Sequence, residues 1–523
     1  MSRQPVLLIL ALGLSLWLAA GSPAAAVTSD AAPTPTAQLL IPLYSYPNWY
    51  NPPAYIWDDV AAANSQVPVT AIINPNNGPD GGPPNSDYVV GLNDLRSAGV
   101  TILGYVYTSY GARDINAVKA DIDLYDQYFD IDGIFFDEVA SSAGQLSYYE
   151  TLYTYVLDRP NLDQVVLNPG TQIDQAYVSA LSQATTIIFE DAVSAWNGYI
   201  ADGYVYQYPP ERFAMLAHSV TDSSQLAKYV DLATTRHIAY VYLTDDSLPN
   251  PWNSLPAFWS DEVAYLAAVN AGERLYVSSS TNGTAGGVSF ADEDILVYNT
   301  QTGRWNLLWD GSDVGVTVDV DAFVKQADGS FLLSLGAGAT LPDVGAVTNA
   351  DIVRFLPTRL GNVTAGTFSL YFDGSDVGLS DSAENLDALA LTPDGRLLIS
   401  AIGKAVVPGV TAQDEDLLRF TPTALGDVTA GTWELYFDGS DVGLNTAASE
   451  DVNGAWVAPN GDIYLSTLGV FAVAGASGDG ADVFACTPGS LGNNTSCTFS
   501  GLYWDGSANG FAGEVVDALF IEP

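Results

Sequence analysis

The sequence predicts an α/β protein, a (β/α)8 TIM barrel, followed by an all-β four-bladed propeller. Three observations support this prediction. Short apolar runs alternate with amphipathic segments eight times between residues 38 and 271. Helical periodicity then disappears at about residue 272, where short strands separated by Gly and Asp turns begin. Finally, a motif of an aromatic residue followed by Asp-Gly occurs four times in this second half.

The N-terminus has the pattern of an export signal. Residues 1–26 carry one Arg, an apolar core from Val6 to Ala20 and a small-residue cleavage site, and residues 27–37 have the composition of a linker. An uncleaved membrane anchor is the alternative, but the apolar run is short for a span. The sequence therefore predicts a secreted, extracellular protein with no membrane contact after signal removal.

Eight strand candidates, each rich in β-branched and aromatic residues, follow the linker. They are residues 39–46, 67–75, 101–109, 131–139, 164–170, 185–191, 212–220 and 238–246. The helical patterns after them are residues 56–64, 87–99, 115–129, 146–159, 175–183, a weak one after Ser194, 223–236 and 260–271. An open doubly wound sheet is the competing fold, but it more often carries a glycine-rich phosphate loop after its first strand. Here the aromatic segment YSYPNWYNPP stands at that position.

Polar residues gather where the predicted barrel strands end, which is the active face of such barrels. We predict that the following residues bind substrate: Tyr44, Asn74, Tyr107, Asn168 and His218. Acids follow strands 4, 6 and 8, and a cleft of aromatic planes and carboxylates suits a sugar. His218 could equally be an ordinary hydrogen-bonded histidine, and Asn168 could equally be a turn residue. Asp245 and Asp246 are predicted to be ordinary loop residues before a Pro-rich segment.

Cleavage of a glycosidic bond usually needs two carboxyl groups. Adjacent strand residues point to opposite faces, so Asp137 is predicted to point over the barrel mouth and Glu138 to leave sideways into the rim. Glu190, on strand 6, is the predicted partner of Asp137 across the barrel. Each acid could instead cap a helix or lie in a solvated loop.

Six short motifs occur in one order: YPNWYNPP, AIINPNNGP, GYVYTSYG, GIFFDEV, LNPGT and FED. Over residues 38–270 this set resembles the spherulin-4-like family of secreted proteins. The resemblance implies a (β/α)8 glycoside hydrolase similar to fungal endo-α-1,4-N-acetylgalactosaminidases, which cut galactosaminogalactan, a partly cationic exopolysaccharide. It implies that Asp137 is the nucleophile or stabilising carboxylate, that Glu190 is the general acid/base, and that Glu138 orients or binds substrate. The alternative is a non-catalytic secreted surface or matrix protein whose barrel only binds glycan.

The charge of the chain bears on its partners. There are 16 Lys and Arg against 61 Asp and Glu, a formal net charge of −45. This balance argues against a nucleic acid as the partner, because binding its phosphates requires basic patches on the protein. It would attract a cationic polysaccharide, although a solvated acidic surface is an equally good explanation.

The second half, residues 272–523, is predicted to be the propeller. Its main motif is WDGSDVG at 309–315, FDGSDVG at 372–378 and 437–443, and WDGSANG at 504–510. Each repeat reads as four strands, as in a propeller blade. The first unit lacks its opening strand, and the C-terminal VDALF can supply it, which would close the ring and remove exposed edges. A larger ring built with another chain is an alternative, and the sequence leaves the oligomeric state open.

No cofactor and no metal site are predicted. With two cysteines and two histidines in all, the chain lacks the cluster that zinc needs. Cys486 and Cys497 are instead predicted to form a local disulfide. The repeated Asp of the WDGS and FDGS motifs is predicted to hydrogen-bond its own turn rather than to bind calcium. The propeller is therefore expected to be a binding or spacer domain without a second active site.

Overall fold

The barrel and the propeller are both present in the computed structural model, which describes residues 37–522. Eight parallel strands close into a barrel in chain order, and strand one pairs with strand eight. Four four-stranded antiparallel sheets follow as the blades of a propeller. The predicted fold class is confirmed. The predicted signal peptide, and all but the last residue of the predicted linker, lie outside the described residues.

Strands and helices alternate throughout the barrel. The strands are β1 (Gln38–Leu43), β2 (Val69–Ile73), β3 (Thr101–Tyr107), β4 (Gly133–Asp137), β5 (Gln164–Leu167), β6 (Thr185–Ala192), β7 (Phe213–His218) and β8 (Tyr240–Leu243). The helices are α1 (Trp57–Ala63), α2 (Ser86–Ser97), α3 (Ile115–Tyr128), α4 (Leu146–Leu157), α5 (Gln175–Ala180), α6 (Val193–Trp196), α7 (Leu226–Thr235) and α8 (Trp259–Ala271).

Local sequence explains where these elements begin and end. Asn85, Asp114 and Asp174 cap the first turns of α2, α3 and α5 by accepting hydrogen bonds from backbone amides that the helix leaves unpaired. The strands end earlier than the apolar runs suggest. The run 131–139, for example, is extended only from Gly133 to Asp137, because Glu138 has a φ of 51° and turns the chain out of the sheet.

The propeller strands continue the numbering. They are β9 (Arg274–Val277), β10 (Gly283–Ala285), β11 (Val288–Phe290), β12 (Ile295–Asn299), β13 (Arg304–Trp309), β14 (Ala322–Lys325), β15 (Phe331–Ser334), β16 (Ala339–Leu341), β17 (Gly345–Val347), β18 (Ile352–Arg359), β19 (Ala365–Phe372), β20 (Ala388–Leu391), β21 (Leu397–Ser400), β22 (Ala405–Val407), β23 (Val410–Ala412), β24 (Leu417–Ala424), β25 (Ala430–Phe437), β26 (Gly454–Val457), β27 (Ile463–Ser466), β28 (Phe471–Val473), β29 (Ala476–Gly478), β30 (Val483–Ser490), β31 (Ser496–Trp504) and β32 (Leu519–Glu522).

The last strand closes the ring. Blade one has the order β13-β12-β9-β32, so the C-terminal strand pairs with the first propeller strand, antiparallel from Leu519 opposite Val277 to Glu522 opposite Arg274. The other blades are β14-β15-β18-β19, β20-β21-β24-β25 and β26-β27-β30-β31. The predicted closure by VDALF is confirmed, and the ring closes with four blades from this one chain.

The recurring Asp residues of the main motif hold their own turns, as predicted. The Ser312, Ser375 and Ser440 hydroxyls donate to Asp310, Asp373 and Asp438 at 2.6–2.7 Å, and the Ala508 amide donates to Asp505 at 2.8 Å. These turns also join neighbouring blades. The Asp310 amide, for example, donates to the Thr364 hydroxyl of the next blade at 2.8 Å.

Barrel and propeller share a charged boundary. Arg304 of β13 donates to Asp231 of α7 at 2.6 Å, and Tyr265 of α8 donates to the same carboxylate at 2.7 Å. A cavity of about 100 Å³ lies beside this contact, and its barrel wall includes Ala37, Pro210 and Ala239, which stand just before β1, β7 and β8. The propeller therefore packs at the N-terminal end of the barrel strands, opposite the mouth.

Two further features bear on the predictions for the whole chain. Cys486 of β30 and Cys497 of β31 form a disulfide, with their Cα atoms 5.2 Å apart. Within residues 37–522, none of the helices combines the length and the apolarity that a membrane crossing requires.

Candidate active site

Asp137 and Glu190 meet at the mouth of the barrel through a shared amide. Asn168 lies one residue beyond β5, between the ends of β4 and β6. Its Nδ2 donates to Asp137 Oδ1 at 2.9 Å and to Glu190 Oε2 at 2.7 Å. Its Oδ1 accepts from the Gly170 amide at 2.9 Å, which fixes the orientation of the side-chain amide. Both protons of Nδ2 are thus used, one for each carboxylate.

This bridge limits the distance between the two acids. Two oxygens on one nitrogen at 2.9 and 2.7 Å cannot be further apart than those two lengths together. The limit applies to the two bonded oxygens, and it is compatible with the roughly 5–5.5 Å carboxyl separation of retaining glycosidases.

Tyrosines complete the surroundings of Asp137. Tyr105 of β3, 6% exposed, donates its hydroxyl to Asp137 Oδ2 at 2.7 Å. Tyr44, just after β1, packs its ring edge-on against Tyr105 with the ring centroids 5.7 Å apart. Burial, and next the charge of Asp137, raise the pKa of the Tyr44 hydroxyl well above its ordinary value, so Tyr44 is a neutral hydrogen-bonding group.

Burial raises the pKa of both acids. For Asp137 the desolvation is opposed by hydrogen bonds from Tyr105, from the Glu138 backbone and from Asn168. For Glu190 it is opposed by hydrogen bonds from Asn168 and Trp252 and reinforced by the charge of Asp137. A neighbouring carboxylate raises the pKa of each acid, Glu138 for Asp137 and Asp137 for Glu190, and Asp137 has more donors to support its ionised form.

Glu138 follows β4 in an unusual backbone conformation. Its φ of 51° is held by two hydrogen bonds to its carbonyl, from the Tyr110 amide at 2.6 Å and from the Thr108 hydroxyl at 2.8 Å. Tyr110 has a positive φ too, at 56°. Strained residues of this kind persist where the surrounding structure fixes them. Within residues 37–522, no group donates a hydrogen bond to the half-buried Glu138 carboxylate.

Exposed aromatic rings surround the mouth on one side. They are Tyr46, Trp49 and Tyr50 after β1, and Tyr110 after β3. The loop after β1 is fixed by Asp87 of α2, which accepts from the Tyr46 hydroxyl at 2.7 Å and from Trp49 Nε1 at 3.0 Å. Flat apolar surface is thus presented at defined positions beside the acid pair.

The other predicted binding residues lie at the same end of the barrel, and among the described residues none of them forms a hydrogen bond to the two acids. Asn74, just after β2, uses its Oδ1 to accept from the Gly78 amide at 3.0 Å, so it stabilises its own loop. Tyr107 is beside Asp137 in register, and the Arg113 guanidinium covers its ring at 4.0 Å. The buried His218 pairs with the Ser219 hydroxyl at 2.9 Å.

Two residues of the site escape the sequence prediction. Tyr105 lies one layer deeper than Tyr107 on the same face of β3, and the alternation of the strand could have indicated it. Trp252 comes from the Pro-rich loop after β8 and hydrogen-bonds Glu190. Its carbonyl accepts from the Tyr44 amide at 3.2 Å, and its ring packs edge-on against His218 with centroids 6.3 Å apart. No periodic pattern marks this position.

Comparisons with known proteins agree with the barrel. Residues 38–266 match the family described as Spherulation-specific family 4. The chain is 37% identical over 270 residues to Spherulin-4 of Physarum polycephalum, and the match covers 49% of this chain and 77% of that protein.

Two solved structures are also similar. Aspergillus clavatus Sph3 in complex with GalNAc is 27% identical, with 45% of this chain and 98% of that chain covered and a TM-score of 0.39. The maltogenic α-amylase AmyB of Thermotoga neapolitana is 10% identical, with 63% and 96% covered and a TM-score of 0.33. Both scores lie below the level at which a superposition informs on function.

Proposed function

The chain belongs to the spherulin-4 family, and from this membership and its bridged carboxylate pair we propose that the protein is a secreted glycoside hydrolase. Its substrate would be an amino-sugar exopolysaccharide of the galactosaminogalactan type, cut at internal α-1,4 bonds. The observation that carries the proposal is the single amide of Asn168 that holds Asp137 and Glu190 together at the barrel mouth. A cationic polymer would also be attracted by the net charge of −45.

The two acids divide the chemistry by their surroundings. Asp137, with three hydrogen-bond donors, is the group that stays ionised and attacks the anomeric carbon. Glu190, half-buried and beside a negative charge, keeps its proton and delivers it to the leaving glycosidic oxygen. A water molecule then attacks the anomeric carbon from the side that the leaving group vacated. Glu190 takes one of its protons as the new carbon–oxygen bond forms, and the bond between the sugar and Asp137 breaks. The close spacing of the carboxylates supports this retaining course over inversion.

Substrate binding would use the rim. Pyranose rings pack their C–H faces on the exposed rings of Tyr46, Trp49, Tyr50 and Tyr110. The carboxylate of Glu138 is free to accept from a hydroxyl or to pair with the ammonium of a deacetylated amino sugar. His218 and Trp252 form the opposite wall beside Glu190.

A reducing-end assay tests this function. The purified protein is incubated with acetylated and partly deacetylated galactosaminogalactan, and with neutral and acidic polysaccharides as controls. We expect new reducing ends together with a rapid fall in mean chain length on the amino-sugar polymer, and NMR of the first product should show the α anomer. No reducing ends on any amino-sugar polymer would contradict the enzyme and favour a glycan-binding protein.

Replacement of the bridging amide should weaken catalysis without unfolding the barrel. In Asn168→Ala both carboxylates lose a donor, so the pKa of each rises further, and we expect kcat to fall about 10²-fold, the cost typical of removing one preorganised donor. Steady-state kinetics checks the result, with Gln172→Ala as a nearby loop control. A variant with full activity whose circular dichroism is unchanged would remove Asn168 from the mechanism.

The dependence of activity on pH should follow from the two raised pKa values. Activity needs Asp137 ionised, so it is lost as pH falls through the pKa of Asp137, which lies above the ordinary Asp value of 3.8. It also needs Glu190 protonated, so it is lost as pH rises through the pKa of Glu190, which lies above 4.5. We expect a bell-shaped profile of kcat/KM, and Glu190→Gln should abolish its alkaline limb. An alkaline limb that survives in Glu190→Gln would show that another group is the acid.

A further inference from the structure

The innermost strands of the four blades bring acidic residues together on the propeller axis. The recurring motif that opens each of these strands places Asp321, Asp387, Asn453 and Asp517 at equivalent positions. Two residues earlier, three of the four repeats again carry an oxygen-bearing side chain: Asp319, Asn385 and Asp451. The ring of inner strands thus collects five carboxylates and two amides in one place, which we call the axial cluster.

The members of the axial cluster contact one another across blades. Oxygens of Asp319, Asp321 and Asp517 all lie within 4.8 Å of each other. Asn385 Nδ2 donates to Asp321 at 2.7 Å, and Asn453 Nδ2 donates to Asp517 at 2.6 Å. Four of the five acids are buried, and Asp387 is only 1% exposed.

No positive side chain balances this charge. Within residues 37–522, none of the five acids forms a salt bridge to Lys, Arg or His. Carboxylates that are buried close together without a cationic partner require a bound proton or a bound cation to offset their charge.

Unpaired oxygens indicate that a ligand completes the group. Both carboxylate oxygens of Asp387 are buried without a hydrogen-bond partner, as is one oxygen each of Asp319, Asp451 and Asp517. Independently of the acids, the neutral amide of Asn385 is 5% exposed and its Oδ1 has no partner, although its Nδ2 already contacts Asp321. Buried oxygens without donors are rare in folded proteins, and a bound ion is one of the few features that satisfies several of them at one place.

We propose that the axial cluster is a divalent-cation site, selective for Ca²⁺, that fastens the four blades at the centre of the propeller. All candidate ligands are oxygens, which excludes the soft metals that prefer sulfur or imidazole. The number of oxygens supplied by several blades suits Ca²⁺, which takes six to eight ligands in a flexible geometry, better than Mg²⁺, which demands a compact octahedron.

The axial cluster is distinct from the repeated turn motif. Asp373 in the second FDGS turn accepts from its own Ser375 amide and hydroxyl at 3.0 and 2.7 Å, so its carboxylate is already satisfied. The axial acids occur in the same repeats, but neither oxygen of Asp387 has a hydrogen-bond partner, and Asp319, Asp451 and Asp517 each keep one oxygen without a partner. The cluster forms only when the ring closes, since Asp517 precedes the closing strand β32.

Calcium titration of the whole protein tests the site. The protein is stripped with EDTA and dialysed, and binding of CaCl₂ and MgCl₂ is followed by calorimetry and by the unfolding temperature at pH 7.5. We expect one Ca²⁺ per chain, a rise in the unfolding temperature on the order of 5 °C, and weaker binding of Mg²⁺. Absence of saturable binding of either ion would overturn the proposal. It would show that bound protons, and not a cation, neutralise the axial carboxylates.

Two variants distinguish the site from general loss of folding. Asp517→Asn should weaken Ca²⁺ binding at least about 10-fold and yet raise the unfolding temperature of the stripped protein, because it removes a buried charge that no cation pairs. Asp373→Asn removes the same charge from a turn and should leave Ca²⁺ affinity unchanged. Equal weakening in both variants would place the ion at the turns and contradict the axial site.

Discussion

Asp137→Asn should lower kcat/KM on an amino-sugar polymer by at least about 10³-fold while the protein remains folded. The substitution keeps the size of the side chain and removes the attacking oxygen of the proposed nucleophile. Glu190→Gln should have a comparable effect on substrates with poor leaving groups, because its proton is then missing from the glycosidic oxygen. The double variant should be little worse than either single one, since residues that act as a unit are not additive.

Asp191→Asn is the matched control for these variants. It removes the same charge one residue from Glu190, but Asp191 is exposed and only accepts from the amide of Ala192 next to it. We expect its activity to stay within about twofold of wild type, as for surface substitutions in general. Full activity in Asp137→Asn would refute the assignment of the nucleophile. A loss of activity in Asp191→Asn as large as that in the site variants would show that removal of a negative charge near the mouth is enough to explain the effect.

Glu522→Gln should destabilise the propeller by about 3–5 kcal/mol, the cost of leaving buried charge without its partner. Glu522 lies in β32 and accepts from Lys325 at 2.5 Å, from Arg274 at 3.3 Å and from Tyr276 at 2.6 Å. The two cations hold the pKa of Glu522 at about 2. With glutamine in its place, two buried positive charges face each other. Urea-induced unfolding followed by tryptophan fluorescence measures the loss.

Glu522 should also make the stability of the propeller depend on pH in the acidic range. Its folded pKa of about 2 lies below the ordinary 4.5, so its stabilising contribution is present above pH 4.5 and is lost as pH falls toward 2. The difference between wild type and Glu522→Gln should therefore shrink over that range. Glu434→Gln is the control, because Glu434 forms an exposed pair with Arg419 that should contribute less than about 1 kcal/mol. A loss in Glu434→Gln as large as that in Glu522→Gln would contradict the role of burial.

The pairing of Asp137 with Glu190 could be predicted because a barrel brings its strand ends together and alternation decides which side chains face the mouth. Asn168 was predicted as either a substrate ligand or a turn residue, and its Oδ1 does accept from the Gly170 amide. Its bridging contacts depend on side-chain directions that the pattern does not encode. Asn74 illustrates the opposite case, since its side chain stabilises its own loop. Trp252 was missed because a loop without periodicity gives no indication of where it folds back.

The propeller was predictable for a different reason. Repetition at a regular spacing indicates both the four-stranded blade and the number of blades. The missing first strand of the first unit indicates that the C-terminal strand closes the ring. The axial cluster was not predicted, although its residues stand in a motif that recurs visibly. Within one blade, Asp387 is simply a residue before a strand. It becomes buried among other acids only in the assembled ring, because the ring brings the equivalent positions of the four repeats together.

The pairing of β32 with β9 has a consequence for the order of folding during synthesis. The barrel is complete by Ala271, so it can fold as soon as it emerges. Blade one cannot form until its last strand, some 240 residues after its first, has been released. Until then the growing chain exposes the open edge of β9, and a chain that ends early would leave that edge available to another copy. Truncated chains should therefore associate through blade one, while complete chains seal it themselves.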